Sequence, residues 1–216
     1  MFPHNARIGL AICTPIPFVS GAGGKLVHDA ISIQWHRKRT ALATPTNFNL
    51  VELYVDGMEV GDARNAAVHR CLTHTPRPDY LFFIDYDVLV EFDALTKLIY
   101  YAKTRPDYDV FAGVYCCKWM NPPDPLIYAG DGAGAFWDWA VGDILTTEQH
   151  GITGCHMGVS LLRLSLFDRL PWNADEPWFK STNEKRISNG SMIARRGSED
   201  LWFCRLAREK AGVKFL

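Results

Sequence analysis

Tyr80-Leu81-Phe82-Phe83-Ile84 is an unbroken apolar run, fenced in front by Pro76-Arg77-Pro78-Asp79 and behind by Asp85-Tyr86-Asp87. A strand with one wet face alternates apolar and polar side chains, whereas a short run with no polar position needs cover on both faces, as in a parallel sheet between layers of helices. The surrounding pattern agrees. Strand-like Arg7 to Cys13, stopped by Thr14-Pro15-Ile16-Pro17 and the glycine-rich Ser20 to Gly24, precedes a helical spacing of Leu26, Val27, Ala30, Ile31 and Trp35 between Lys25 and Arg39. A second strand follows from Asn49 to Val55, then a helix capped by Asp62 with Ala66, Ala67, Val68, Cys71 and Leu72 on its apolar side. Beyond the aspartates, Phe92, Leu95, Leu98, Ile99 and Ala102 suggest another helix, and Asp109 to Tyr115 another strand. Alternating strands and helices predict an α/β fold with a mostly parallel central sheet flanked by helices. From Lys118 to about Gly154 the pattern breaks down, as in a binding loop or lid; periodicity returns from Val159 to Leu170 and in a terminal helix from about Ser198 to Ala211.

A chain of 216 residues fits one such domain. Its 23 basic and 24 acidic residues leave a net charge of -1, with no electrostatic footprint for nucleic acid or an anionic membrane. The one basic run, His36-Arg37-Lys38-Arg39, reads as a solvated helix end. No stretch reaches the length of a membrane span, and the N-terminus has no secretory pattern. Six cysteines without a C-x-x-C pair read as reduced thiols, which suggests a cytoplasmic setting.

In open α/β sheets ligands collect at the carboxyl ends of the strands, where Asp85 and Asp87 lie. If extended geometry persists, the two share a face roughly 6 to 7 Å apart and repel by roughly 2 to 3 kcal/mol at an effective dielectric of about 20. A divalent cation reverses that sign, and hard oxygen ligands suit magnesium or manganese. A solvated turn is the plain alternative. Other segments carry chemistry of their own. Gly61-Asp62-Ala63-Arg64-Asn65 offers a helix N-terminus and a guanidinium to a phosphate, or simply a cap and a surface arginine. Gly151 to Gly158 forms a glycine-rich turn in which His156 is a candidate metal or phosphate contact. Ser198-Glu199-Asp200 opens a helix, where acids cap well and where a carboxylate can serve as general base. Tryptophans crowd the second half, with Trp202 expected in the core.

In this order the motifs resemble the GT-A class of nucleotide-sugar glycosyltransferases, especially glycosyltransferase family 2. The resemblance runs through Ala63-Arg64-Asn65, Leu81 to Asp87, Ala112-Gly113-Val114-Tyr115 with Lys118, Gly154 to Arg163, Pro171-Trp172 and Glu199-Asp200. It implies a single GT-A-like (Rossmann-like) domain over residues 1–216, with residues 1–90 as the nucleotide-binding half and 91–216 as the acceptor-binding half. It implies a UDP- or GDP-sugar donor, a glycan or other hydroxyl acceptor, and Mn2+ or Mg2+ as cofactor. By it, Asp85 and Asp87 engage the metal, the diphosphate and the ribose, with Tyr86 between them at the donor. Thr14, Pro15, Arg64 and Lys118 lie where the family holds the nucleotide. Asp200 is the expected general base of an inverting reaction, and Glu199 touches acceptor or donor sugar.

Two departures stand out. The family often has a metal-binding histidine on a strand past the E-D helix, and Val213-Lys214-Phe215-Leu216 stand where that strand would begin. Either fewer protein groups hold the metal, or His156 substitutes, or the chain is a shortened form of low activity. The loop after the first strand is also glycine-rich where family 2 is acidic. Two other readings remain: a haloacid-dehalogenase-like phosphatase with Asp85 as nucleophile, and a non-catalytic glycan- or nucleotide-binding module.

Overall fold

The computed structural model describes residues 8–16, 18–20, 26–28, 32–117, 123–130, 134–188 and 191–216. The chain opens with β1 (Ile8–Ile16), a small hairpin of β2 (Phe18–Ser20) and β3 (Leu26–His28), and α1 (Ile33–Ala41). There follow β4 (Phe48–Asp56), α2 (Val60–Thr73), β5 (Tyr80–Ile84), α3 (Ala94–Thr104) and β6 (Val110–Ala112). The second half holds β7 (Ile127–Ala129), β8 (Gly134–Ala135), α4 (Thr147–His150), β9 (Ile152–Cys155), β10 (Val159–Arg163) and α5 (Leu166–Arg169). It ends with the hairpin β11 (Thr182–Ser188) and β12 (Ser191–Gly197), and with α6 (Glu199–Ala211).

The central sheet has the order β4-β1-β5-β10-β6, with β4, β1 and β5 parallel and β10 antiparallel to both its neighbours. This is the mostly parallel sheet flanked by helices that the strand-helix alternation predicts, and the fold is Rossmann-like. Every residue of β5 is buried, and successive residues serve opposite cores. Leu81 and Phe83 pack with Ala63, Ala67, Val68, Phe203 and Ala207 of α2 and α6. Phe82 and Ile84 pack with Leu95, Leu98 and Ile99 of α3. That two-sided burial is why the run tolerates no polar side chain.

Several expectations shift. β1 does not stop at Thr14 but continues to Ile16 along β4, while its pairing with β5 ends at Cys13↔Phe83. Pro15 thus falls where β1 has lost one partner, a position that tolerates a missing N–H. Leu26 and Val27 belong to β3 rather than to a helix, because Ser32 caps α1 by accepting the Trp35 N–H at 3.0 Å. Glu59, not Asp62, caps α2 through the Gly61 N–H at 2.8 Å. Asp62 sits in the first turn, complementing the helix dipole. Phe92 precedes α3 and is exposed, and the strand expected from Asp109 to Tyr115 contracts to β6. Val159 to Leu170 divides into β10 and α5. The stretch expected to be irregular carries β7, β8, α4 and β9, whose strands form a small sheet of order β8-β7-β9. Among the described residues of that half Trp178 rather than Trp202 is the deeply buried tryptophan; Trp202 is half-buried, with the charges of Lys180 and Arg205 over its ring.

Past α6 the chain returns to the sheet. Phe215 bridges Val110 in parallel sense, and Leu216 exchanges backbone hydrogen bonds with Val110 and Ala112. No helix among the described residues is long and apolar enough to cross a membrane. The six cysteines are free thiols.

Candidate functional site

The end of β5 is held from two sides. The Asp85 N–H donates to Gly158 O at 2.9 Å, while its carbonyl accepts from the Trp35 indole at 2.7 Å and from the Val88 N–H at 3.2 Å. The last of these closes a turn through Tyr86 and Asp87. Extended geometry therefore stops at Ile84, and the expected alignment of Asp85 and Asp87 on one strand face gives way to a turn in which Asp87 is exposed. Gly158 permits the approach of β10 to this strand end. A Cβ there would lie 2.3 Å from the Tyr115 hydroxyl and 3.0 Å from Asp85 Oδ2.

From this anchor a buried polar cluster extends inward. Arg64, on α2, is 1% exposed, and its Nη2 lies 2.9 Å from each carboxylate oxygen of Asp85. Its Nη1 donates to Glu199 Oε1 at 2.6 Å and to Asp200 Oδ1. Asp200 Oδ2 in turn lies 2.9 Å from His156 Nδ1, and His156 Nε2 lies 2.9 Å from the Tyr128 hydroxyl. Glu199 and Asp200 are the first residues of α6, placed there by the Ser198 cap on the Leu201 N–H at 3.3 Å. The helix starts of α2 and α6 can meet because Gly61 has no side chain: a Cβ would stand 3.3 Å from the Glu199 Cβ. Asn65 secures the same corner by bonding the backbone of Phe179 in both directions, at 2.8 and 3.0 Å.

Burial and charge set the protonation of this cluster. Burial pushes the Glu199 carboxyl up to about 8, reinforced by the Asp200 charge beside it. Asp200 feels the same burial, but the Arg64 cation and His156 outweigh it and hold the carboxyl down at about 2. Burial raises Asp85 despite its Arg64 partner. For His156 burial acts downward, yet the hydrogen bond and charge of Asp200 win and raise it. Arg64 stays charged, because three carboxylates overcome the penalty of burying it. Its Nε is left without a partner.

Of the site residues expected from sequence, the fold gathers Arg64, Asp85, His156, Glu199 and Asp200 into one cluster. Arg64 is not a surface side chain; it is buried, with its guanidinium on Asp85, Glu199 and Asp200. Thr14 and Pro15 are buried in β1 just past its last pairing with β5. Lys118 lies outside the described residues. The ring nitrogens of His156 face Asp200 and Tyr128, and among the described residues no three His, Cys, Asp or Glu side chains gather as a metal-ligand group. Asp85 and Asp87 are two hard carboxylates at the strand end, the Asp85 oxygens each also lying 2.9 Å from Arg64 Nη2. That donor set is too small for a closed protein cage but suits magnesium or manganese when substrate phosphates complete the shell. Tyr128 escaped the sequence reading, which gave Tyr115 only as part of a strand and motif and Trp35 only as a helix position. Tyr128 sits in the stretch without periodicity, and the tyrosines touch the cluster only through tertiary contact.

The sheet and helices define an α/β domain of Rossmann-like kind. In structure, the chain is similar to A197 from STIV, with a TM-score of 0.51 at 18% identity over 97% of this chain and 81% of that one. It is also matched to CMP:2-keto-3-deoxy-manno-octonic acid synthetase complexed with CTP, with a TM-score of 0.44 at 13% identity over 95% of this chain and 87% of that one. The first likeness speaks to fold alone, and the second is too slight to carry an argument. No family model matches the chain, and no curated protein is similar to it.

Proposed function

We propose that the chain is a metal-dependent glycosyltransferase that moves a sugar from a nucleoside diphosphate to an acceptor hydroxyl. The observation that carries this reading is the buried Arg64 bridge, which couples the carboxylate at the end of β5 to the two acids opening α6. It joins the first acid of one acidic motif of the glycosyltransferase resemblance to both acids of the other, at the carboxyl end of the central strand, where α/β domains take ligands. Asp85 and Asp87 form the donor end, with Thr14 and Pro15 at the neighbouring strand end and Tyr86 between the acids. Glu199 and Asp200 form the acid-base end, where Asp200 supplies the negative charge that favours loss of the proton from the attacking hydroxyl. Asp85 and Asp87 would hold a magnesium or manganese ion, which would supply positive charge to the departing diphosphate. Inversion at the anomeric carbon follows if acceptor and diphosphate occupy opposite faces of the sugar. Asp85 as a phosphatase nucleophile is disfavoured, since a carboxylate with both oxygens on a guanidinium attacks poorly.

Thermal unfolding with UDP or GDP, with and without manganese, tests the reading. A ligand at a hundred times its dissociation constant adds about 2.7 kcal/mol, a rise of about 5 to 10 °C for a domain of this size. The rise requires manganese and is lost in Asp87→Asn. Stabilisation by inorganic phosphate but by neither nucleotide sinks the proposal.

A further inference from the structure

We infer that His156 is the group that receives the proton of the acceptor hydroxyl, on Nε2, with Asp200 as the positioning residue behind it. This rests on the transferase reading above. Asp200 is sealed: it is 3% exposed, with one carboxylate oxygen on Arg64 and the other on His156 Nδ1 at 2.9 Å. Neither oxygen is turned to solvent, so an incoming hydroxyl has no direct path to it. The His156 side chain is 21% exposed and is the outward end of the pair. Because an ionised carboxylate only accepts, Nδ1 carries the hydrogen, and Nε2 of the neutral ring presents a lone pair. That lone pair faces the Tyr128 hydroxyl at 2.9 Å, and an acceptor hydroxyl takes the same position by displacing it.

The surrounding charges suit the task. Asp200 and Glu199 face His156 from α6, Arg64 from α2, and the Tyr128 hydroxyl from β7. The Asp200 carboxylate favours the imidazolium that forms, Glu199 adds to it and Arg64 tempers it. In the transfer the acceptor O–H breaks and its proton goes to Nε2 as its oxygen bonds the anomeric carbon. The bond from that carbon to the diphosphate breaks with its electron pair leaving on the diphosphate. His156 then returns its proton to water.

The test compares wild type with His156→Gln in two assays: UDP and GDP binding with manganese by thermal shift, and nucleoside diphosphate release from a panel of UDP- and GDP-sugars. Expected is an unchanged thermal shift with a rate lower by about 10²- to 10⁴-fold, the usual contribution of a general base. The wild-type rate should rise with pH through one ionisation that the variant lacks. Nitrogen NMR of labelled histidine gives a readout independent of turnover. It should show Nδ1 protonated, with a titration above the ordinary histidine value of about 6.5 that falls in Asp200→Asn. A His156→Gln rate within about threefold of wild type with nucleotide bound normally overturns the inference and leaves the transferase standing, since a positioned base is worth far more. Loss of nucleotide binding along with rate also overturns it, marking His156 as structural, as does an unprotonated Nδ1. If wild type binds neither nucleotide, both proposals fall.

Discussion

Glu199 and Asp200 are neighbours in sequence with opposite titration, and the difference predicts how stability responds to pH. Asp200 is lowered from 3.8 to about 2, so its contribution is present above the first value and lost as pH falls toward the second. Glu199 is raised from 4.5 to about 8, so the folded state holds a proton that the unfolded chain has released, and stability falls as pH rises between those values. His156, also raised, acts in the same direction above its unfolded value of 6.5. The melting temperature should therefore peak on the acid side of neutrality. Glu199→Gln should flatten the decline between about pH 4.5 and 8 in a thermal melt series, since its amide does not titrate. An unchanged pH profile in that variant would show that Glu199 is ionised in the folded protein.

Elements meet at this site through small gaps rather than through strong local signals. Gly158 lets the start of β10 lie against the end of β5, where a methyl group would collide with Tyr115 and the Asp85 carboxylate. Gly158→Ala should destabilise by about 1 to 3 kcal/mol, as overpacking does. If the Asp85 backbone shifts in response, it should weaken the manganese-dependent nucleotide shift as well; calorimetric melts with and without ligand separate the two effects. This join explains what the amino-acid order reveals and what it hides. The apolar run of β5 and the Ser198 cap of α6 are local, so both elements were legible. The length of β1 depends on which partner it has lost at Pro15, and the cap of α2 on a Glu59 carboxylate folding back onto Gly61. Such outcomes are settled between elements, not within them. The aspartate pair was legible as chemistry, but its strand-face geometry was not, because the turn at Tyr86 and Asp87 is closed by backbone hydrogen bonds.

At the scale of the molecule, Arg64 ties α2 to the end of β5 and the start of α6, and through Asp200 to the loop bearing His156. Removing it leaves three acids crowded in a dry site, so Arg64→Met should cost about 3 to 5 kcal/mol. The loss should be smaller near pH 4, where protonation relieves the repulsion; chemical denaturation at the two pH values measures the difference. The arginine was legible as a cation near a helix start. Its role as a buried hub was not, because its partners Glu199 and Asp200 enter more than half the chain later.

That delay has a consequence for how the protein comes into being. During synthesis β1, β4 and β5 emerge together with α2, and their apolar faces can begin to associate early. Arg64 and Asp85 can pair once β5 is made, but Arg64 meets Glu199 and Asp200 only when α6 follows and docks, so the buried cluster closes late in synthesis. Until α6 docks, a nascent chain holds the Arg64 cation against Asp85 without the Glu199 and Asp200 carboxylates that enclose it in the folded protein.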